Sequence, residues 1–435
     1  MRPVVTLREW QRASIAPDPS AATVTEKEAD RLIALAVAAE QKLGSGSGEG
    51  ASVLSRTHRV IAARQIVGVL AMPGLTLEIL PKIELDDEGA RASLVHMLAQ
   101  AWDLPVADGE VAAFSHQEKT LLEILIRLFC ERLFRAVHRG LSRRYLDQED
   151  DLSFLRGQLD VHRQFTALAV TPNRLACRFS ELSSDIALNR ILKAAVVMLA
   201  GMTRSSRNRR LLMELELAFV DVRLVPVSQL AWDRVIVDRT DARFRELLVL
   251  ARRLLGREFQ TTTLGSAEGN ALLFEMNTLF EAFIGRRMQA AMRGTGVQVR
   301  LQGPRRFVLR DEADKPRFAT KPDIVLSCPA GTHIIDTKWK RLHSADVDAK
   351  RGVGQADVYQ MLAYGQVYGA NRLTLLYPHH AGLGAAAGVL ARFTAPDGLT
   401  QLEVATVDVA RIGSVTDQCR VLGRPGVVTE ALAYA

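Results

Sequence analysis

Two short segments in the C-terminal third of the chain combine acidic and basic side chains at a spacing that could do chemistry. Lys321-Pro322-Asp323 precedes an apolar run, and the segment Asp336–Lys340 follows another. Successive side chains of a strand point to opposite faces, so Asp336, Lys338 and Lys340 share one face. Because charges that follow buried residues must be paired or hydrated, this pattern indicates a site rather than an ordinary core strand.

Two carboxylates and a lysine are the groups that metal-dependent phosphodiester hydrolysis needs. Carboxylates bind Mg²⁺, which prefers hard oxygen ligands and retains several waters. The metal lowers the pKa of a bound water and neutralises charge that develops on the phosphate, while a lysine orients the water or stabilises the oxyanion. We therefore predict that Asp323, Asp336 and Lys338 are catalytic and that both aspartates ligate Mg²⁺. Thr337, which lies between the second acid and the lysine, is assigned to the same metal site.

Two flanking segments of helical character supply further candidates. Glu275 and Glu281 compete as the acid that could reach the metal or its water, and Glu281 is favoured because Leu279 and Phe283 would anchor its turn. In the second segment, Gln360 and Tyr364 are four residues apart and share one face. A surface position is the alternative for this pair, but its place directly after the acid-lysine segment favours a catalytic role.

The elements that must position these residues follow the order α-β-β-β-α-β, which predicts a mixed α/β domain over residues 266–435. The predicted helices and strands are Leu272–Met292, Val297–Leu309, Asp323–Ser327, Thr332–Trp339, Ala356–Tyr368 and Leu373–Tyr377, with later strands at Gly388–Phe393 and Leu402–Val409.

At 435 residues the chain is expected to form two or three domains. A helix at about Glu26–Leu43, a Gly/Ser-rich loop at 44–50 and short strand-like runs predict a β-rich N-terminal domain over residues 1–105. The strand-like runs are Ser52–Val60, Gln65–Leu70 and Leu75–Ile83. Residues 106–265 are predicted to be mainly helical, with helices at Gln117–Tyr145, Asp185–Thr203 and Asp241–Leu255.

The first of these middle helices carries arginines spaced by three and four residues: Arg132, Arg135, Arg139 and Arg143. On one helix face they would form a basic stripe that could bind phosphates. The alternative is a solvated face whose arginines pair with nearby acids. A net charge of +7 and a pI near 9.4 favour a polyanionic partner without requiring one.

Composition excludes several classes of protein. The four cysteines are far apart and form no CxxC pair, so neither a zinc site nor a disulfide framework is indicated. No apolar stretch reaches the roughly 20 residues of a membrane span. The N-terminal residues lack the pattern of a secretory signal, so we expect a cytoplasmic protein.

Three charged features remain open. Arg156 could touch DNA or a partner, or could form a buried ion pair with an acid such as Asp185. The pair His379-His380 lacks a third ligand at a suitable spacing and is expected to lie in a loop. The segment 341–354, which contains Lys350 and Arg351, could contact a DNA backbone or could be a charged surface loop.

The order Pro322-Asp323, Asp336-x-Lys338 and Gln360-x-x-x-Tyr364 resembles the PD-(D/E)xK nuclease superfamily. More narrowly, the chain resembles the McrC family, the nuclease subunit of McrBC-type 5-methylcytosine-specific restriction systems. The segments that carry this second resemblance are Gly74–Ile83, Phe154–Asp160 and Leu188–Lys193, together with the motifs above.

This resemblance implies a Mg²⁺-dependent subunit that cuts double-stranded DNA with a hexameric AAA+ GTPase, McrB, which reads modified cytosine. It also implies that the N-terminal part docks on that motor and stimulates its nucleotide hydrolysis. The chain has no Gly-x-x-x-x-Gly-Lys-[Ser/Thr] loop, which agrees with a motor on another chain. Two alternatives are a non-catalytic DNA-binding subunit that activates a partner NTPase, and the nuclease of another NTPase-linked defence system.

Overall fold

A computed structural model describes most of the chain and divides it into two compact units. The described residues are 4–18, 20, 22–43, 52–104, 114, 118, 120–171, 173–256, 259–264, 267–344, 347–348 and 350–424. One unit contains residues 1–124 and 261–435, and the other contains residues 125–260. The Gly/Ser-rich segment 44–50 lies outside the described residues. None of the described helices is long and apolar enough to cross a bilayer.

The first unit contains a five-stranded sheet that joins distant parts of the sequence. Its strands are β1 (Val5–Arg8), β6 (Ile66–Met72), β7 (Leu75–Leu80), β11 (Phe259–Leu264) and β12 (Ala267–Glu275), in the order β1-β7-β6-β12-β11. β1 runs parallel to β7, while β12 runs antiparallel to β6. The predicted boundary at residue 266 therefore falls within one compact unit.

A smaller sheet and a helix complete the N-terminal part of this unit. The sheet contains β2 (Arg12–Ile15), β3 (Thr23–Val24), β4 (Leu54–Arg56) and β5 (Val60–Ala63), in the order β3-β2-β5-β4. Helix α1 (Glu26–Leu43) has acidic residues in its first turn, as the helix dipole favours. Its apolar face, which includes Leu32 and Leu35, packs in one core with both sheets.

A six-stranded mixed sheet carries the predicted chemical segments. It contains β13 (Gln298–Leu301), β16 (Ile324–Cys328), β17 (Gly331–Thr337), β18 (Arg372–Pro378), β19 (Gly388–Thr394) and β20 (Gln401–Val407). The order is β13-β16-β17-β18-β20-β19. β17 is antiparallel to β16 and parallel to β18, and its last five residues are all buried. The sequence of β17 has apolar residues at 334 and 335 and ends in the polar residues Asp336 and Thr337.

Three helices pack around this sheet: α8 (Met276–Met292), α9 (Gln355–Tyr368) and α10 (Ile412–Gly423). Helix α9 is capped by Gly369, the residue after Tyr368, whose φ of 62° is the left-handed conformation that commonly closes helices. A further helix, α2 (Asp87–Ala101), packs against α8. An exposed hairpin of β14 (Arg306–Arg310) and β15 (Pro316–Thr320) leads directly into Lys321-Pro322-Asp323.

The second unit combines helices with a three-stranded antiparallel sheet. The sheet contains β8 (Arg144–Leu152), β9 (Gln158–Leu159) and β10 (Leu175–Ser183), in the order β8-β10-β9. The helices are α3 (Leu121–Val137), α4 (Val161–Phe165), α5 (Ala187–Met202), α6 (Ser206–Ala218) and α7 (Arg245–Leu254). Helix α3 starts four residues before the unit begins. The predicted helices at Asp185–Thr203 and Asp241–Leu255 correspond to α5 and α7.

The prediction of one long helix to Tyr145, with a stripe of four arginines, is wrong. Helix α3 ends at Val137, the chain turns at Gly140 with φ of 89°, and Arg143 lies just before β8. Arg139 and Arg143 are therefore outside the helix. Arg132 pairs with Glu246 at 3.1 Å, as the alternative of pairing with nearby acids expected, although its side chain is largely buried rather than solvated.

Two predicted elements of the C-terminal region differ in extent from the observed ones. The predicted helix Leu272–Met292 begins as strand β12, and α8 starts only at Met276. The predicted strand Val297–Leu309 is divided into β13 and β14. A short apolar run such as 271–274 is compatible with either a helix or a strand. In the structure it forms a strand because it pairs with β6.

Candidate active site

Asp323 and Asp336 face each other where β16 begins and β17 approaches its end. Ile324 pairs with Ile335 in the antiparallel register, so the next residue pair along the two chains is Asp323 and Asp336. Such cross-strand neighbours lie on the same face of a sheet, where two like charges repel. Asp336 is only 2% exposed. The fold thus brings together two acids that are separated by an entire hairpin in the sequence.

Thr337 fixes the orientation of the Asp323 carboxylate. Asp323 Oδ2 accepts hydrogen bonds from the main-chain nitrogen of Thr337 at 2.8 Å and from its hydroxyl at 2.7 Å. The main chain of Asp323 is held in turn, because Gln302 N donates to its carbonyl at 2.6 Å. One face of this carboxylate is therefore committed to protein contacts.

Lys338 lies between the acids and helix α9. Its Nζ is 2.8 Å from Asp336 Oδ2 and donates to Gln360 Oε1 at 3.2 Å. Gln360 Nε2 donates to the Tyr364 hydroxyl at 2.7 Å, so the predicted pair on α9 does reach the acid-lysine segment. Apart from the ammonium group of Lys338, Asp336 Oδ2 has no hydrogen-bond partner among the described residues.

Of the two competing helical acids, Glu281 is the one near this cluster. Gln302 Nε2 donates to Glu281 Oε1 at 3.3 Å, and Lys321 Nζ donates to Gln302 Oε1 at 2.6 Å. Glu281 also interacts electrostatically with Asp336 and Lys338. Glu275, in contrast, precedes the first turn of α8 and accepts a hydrogen bond from the Thr278 hydroxyl at 3.1 Å.

The electrostatics of the cluster disfavour three simultaneous negative charges. Burial, with Glu281 as the next cause, raises the pKa of Asp323 to about 6. Burial and the Asp323 charge raise the pKa of Asp336 to about 6. Burial, followed by the nearby Asp336 charge, also raises the pKa of Glu281. Burial alone would lower the pKa of Lys338, but its acidic neighbours outweigh that effect and raise it, so Lys338 stays protonated at neutral pH.

These residues fit a hard divalent cation bound by few protein ligands. Two buried carboxylates lie opposite each other, and burial and a neighbouring acid raise the pKa of each, so a divalent cation at this position would favour their ionised forms. Within the described ranges, no three His, Cys, Asp or Glu side chains form a closed metal cage. Mg²⁺ retains several waters and needs only one or two carboxylates from the protein. Asp323 and Asp336, together with an oxygen of Thr337, would therefore suffice.

Sequence reasoning did not identify several residues at this site. Asp357 is one turn before Gln360 on α9; it pairs with Lys340 at 2.7 Å and lies 4.0 Å from Lys338 Nζ. Its spacing of three from Gln360 is the signal that would have placed it there. Gln302 and Lys321 could be placed only by the fold, because no periodicity connects them with Glu281.

The three features left open in the sequence have local partners. Arg156 pairs with an acid, as one of the two alternatives expected, but the acid is Glu181 at 3.0 Å and the pair is exposed rather than buried, while Asp185 pairs with Arg190. His379 and His380 follow β18, and His380 contacts the carbonyl of Leu342. In the segment after the acid-lysine strand, Arg341 pairs with Glu84 at 2.8 Å.

Comparisons with known proteins agree with this architecture. The chain is similar to a chain in a refined half-complex from a tetradecameric assembly of Thermococcus gammatolerans McrB AAA+ hexamers with bound McrC. The TM-score is 0.75 at 22% identity, over 97% of this chain and 99% of that chain. It is also similar to a chain in the cryo-EM structure of the Thermococcus gammatolerans McrBC complex, with a TM-score of 0.55 and 28% identity over 67% of this chain and 88% of that chain. No curated protein matches the sequence.

The family model described as McrBC 5-methylcytosine restriction system component matches residues 61–378. This match covers well over half of the chain, from β5 through β18, and includes every predicted site residue. The chain therefore belongs to this family, as a McrC-type component, which confirms the resemblance found in the sequence.

Proposed function

We propose that this chain is the Mg²⁺-dependent DNA endonuclease subunit of its restriction system. In this proposal the six-stranded sheet with α8 and α9 is a PD-(D/E)xK nuclease domain. The observation that carries the proposal is the placement of Asp323 and Asp336 opposite each other across two strands, with Lys338 Nζ 2.8 Å from Asp336. A family membership alone would leave open whether the chain cuts DNA or only assists a partner.

Each residue has a distinct role in the proposed site. Asp323, Asp336 and Thr337 would hold Mg²⁺, and Glu281 would reach the cation or its waters. A bound cation would supply charge neutralisation at the phosphate and would activate water. Lys338 contributes a permanent positive charge beside Asp336, where it orients the attacking water or stabilises the developing oxyanion. Gln360 fixes the Lys338 ammonium group, and Tyr364 fixes Gln360.

The proposed substrate is double-stranded DNA, and the proposed partner is a McrB-type AAA+ GTPase hexamer. The solved assemblies that this chain resembles contain McrB AAA+ hexamers with bound McrC. A basic chain suits a polyanion, and the exposed β14–β15 hairpin pairs Arg306 with Thr320, the residue just before the Lys321–Asp323 segment. Phosphate contacts of this kind position DNA without reading its sequence.

The decisive experiment is cleavage of a methylated duplex by the full chain with its AAA+ partner, GTP and Mg²⁺. Wild type should cut, and Asp336→Asn should not, because an amide is a weaker ligand for a hard dication. Thr374→Val, at a buried position on β18 whose side chain lies on the opposite face of the sheet from Asp336, serves as the matched control for a buried polar change. Cleavage by Asp336→Asn at the wild-type rate would refute the proposed site.

A further inference from the structure

Trp339, the residue after the proposed catalytic lysine, is held by three different side chains. Its main-chain nitrogen donates to Asn277 Oδ1 at 3.2 Å, and its carbonyl accepts from Lys82 Nζ at 3.3 Å. Its indole Nε1 donates to Glu9 Oε2 at 2.7 Å. Trp339 is 1% exposed, so each of these polar groups would be costly to leave without a partner.

The chain needs such anchors at this point because the sheet no longer supplies them. Strand β17 ends at Thr337, and the hydrogen bond from Lys338 N to Leu376 O at 2.9 Å is the last ladder contact on the β18 side. At Trp339, hydrogen bonds to side chains take the place of the main-chain hydrogen bonds between strands. The position of the Lys338 main chain is therefore fixed on one side by the sheet and on the other by the anchors of Trp339.

Two of the anchors come from the N-terminal sheet of the same compact unit. Glu9 follows β1 and Lys82 follows β7, and the two strands run parallel with Arg8 opposite Leu80, so both residues emerge at one edge. Lys82 N donates to Glu9 Oε2 at 3.1 Å, and Glu9 N donates to Leu80 O at 3.0 Å. Glu9 is 4% exposed. Burial deprives this carboxylate of hydration, which is costly, and its contacts to Lys82 and Trp339 offset part of that cost.

Trp339 also reaches the helix that carries the helical acid. Its ring packs against Phe280 with a centroid separation of 5.2 Å, and Phe280 directly precedes Glu281. Asn277, which binds the Trp339 nitrogen, lies in the first turn of the same helix. One indole thus contacts the elements that present Lys338 and Glu281.

We propose that Glu9 and Lys82 are positioning residues of the nuclease centre, which hold Trp339 and through it Lys338 and Glu281. The N-terminal sheet then helps to position the residues of the nuclease centre, in addition to any role in partner binding. This inference rests on the nuclease function proposed above. It predicts that loss of the Glu9 contact slows cleavage while the binding of DNA is retained.

The test compares Glu9→Ala with Glu78→Ala in the full chain. Glu78 is an equally buried carboxylate of the same sheet; it pairs with Arg91 at 2.8 Å and accepts from Leu121 N, away from Trp339. Glu9→Ala should lower the single-turnover cleavage rate roughly 10- to 100-fold, because small displacements of reacting groups cost that much. Glu78→Ala should lose stability without that rate loss. Glu9→Gln, whose amide oxygen can still accept from the indole, should restore most of the rate.

A second readout follows Trp339 itself. The chain has four tryptophans, and the ¹H–¹⁵N indole signal that disappears in Trp339→Phe identifies the one of interest. That signal should move in Glu9→Ala and stay in place in Glu78→Ala. DNA binding by Glu9→Ala should remain within about twofold of wild type, which separates a loss of rate from a loss of substrate binding.

The outcomes separate the two proposals. If wild type with its partner fails to cut DNA under all metal conditions, the nuclease proposal falls. If wild type cuts and Glu9→Ala cuts as fast as Glu78→Ala, the nuclease proposal stands and the positioning inference is overturned. A slow Glu9→Ala, a shifted indole signal and recovery by Glu9→Gln together establish it.

Discussion

The Asp323 carboxylate accepts both the main-chain N–H and the hydroxyl of Thr337, at 2.8 Å and 2.7 Å. Asp323 directly precedes β16 and Thr337 is the last residue of β17. This contact therefore fixes the start of β16 relative to the end of β17. The same contact uses one Asp323 oxygen twice and leaves the other for a ligand. Thr337 therefore orients one acid while its neighbours in sequence supply the second acid and the lysine.

Replacing an acid of the pair should stabilise the metal-free protein at neutral pH. The folded pKa of Asp336 is raised from its usual value to about 6, so the folded state holds a proton more tightly than the unfolded state. Stability from this source is complete below pH 4 and is lost as pH rises through 6. Asp336→Asn, without divalent cations, should melt higher than wild type at pH 8, by roughly 2 to 4 °C for each kcal/mol of relieved repulsion.

Added Mg²⁺ should reverse that ranking. A ligand that binds only the folded state raises the melting temperature, and the two aspartates accept a cation most readily once both are ionised, above about pH 6. Wild type should gain stability with Mg²⁺ at pH 8 and little at pH 5, and Asp336→Asn should gain little at either pH. Thermal melts at both pH values, with and without EDTA, measure this. Equal Mg²⁺ responses of the two proteins would contradict the metal assignment.

Lys338 and Lys340 provide a matched pair for testing the lysine role. Lys338 Nζ contacts Asp336 and Gln360, whereas Lys340 pairs with Asp357 and its side chain is half exposed. Lys338→Ala should lower the cleavage rate about 10² to 10³-fold, as loss of one preorganised charge in an active site does. Lys340→Ala should change it much less, since an exposed pair contributes little. If the cleavage rate fell to a similar extent in both variants, the loss of a positive charge anywhere near the site, rather than the position of Lys338, would explain the effect.

Glu281 in helix α8 and Glu275, the last residue of β12 directly before that helix, form a second matched pair. Burial raises the pKa of Glu281, which interacts with Asp336 and Lys338, while Glu275 serves the first turn of α8 through Thr278. Glu281→Gln should slow cleavage, by less than Asp336→Asn does, and Glu275→Gln should leave the rate near wild type. Single-turnover rates at saturating Mg²⁺ decide the matter. A larger loss for Glu275→Gln would reverse the choice between the two acids.

The sequence predicted which candidate residues lie near one another better than it predicted the bounds of the elements that carry them, because local spacing carried most of the information. Asp336 and Lys338 are two positions apart in a strand, and Gln360 and Tyr364 are four apart in a helix, so the members of each pair lie on one face. In the structure the two residues of each pair are in contact. The run Leu272–Phe274 was assigned to a helix because an apolar segment without alternation fits either element. Glu9 could not be predicted at all, since its contact with Trp339 spans 330 positions and depends on the parallel pairing of β1 with β7.

Catalytic substitutions should leave stimulation of the partner intact. Strand β12 pairs with β6 inside the N-terminal sheet, so a fragment ending near residue 265 would lose a strand of that sheet and is a poor test of separate functions. The full chain with Asp336→Asn avoids this problem. It should stimulate GTP hydrolysis by a McrB-type partner as wild type does, measured as phosphate release at equal complex concentration. Loss of stimulation would show that partner activation depends on the acid pair.

The last prediction concerns the chain alone on DNA. Its net charge is +7, and we expect exposed arginines such as Arg306 on β14 to contact the DNA backbone. Contacts of this kind are to phosphates, and each contributes a slope of roughly −0.9 to the dependence of log K on log salt.

Binding by the isolated chain should therefore be weak, salt-sensitive and indifferent to cytosine methylation, which leaves base recognition to the partner. Titration of methylated and unmethylated duplexes of one sequence at several salt concentrations measures both properties. The two curves should coincide at every salt concentration. A preference for the methylated duplex that persists at high salt, where phosphate contacts are weak, would show that this chain reads the base itself.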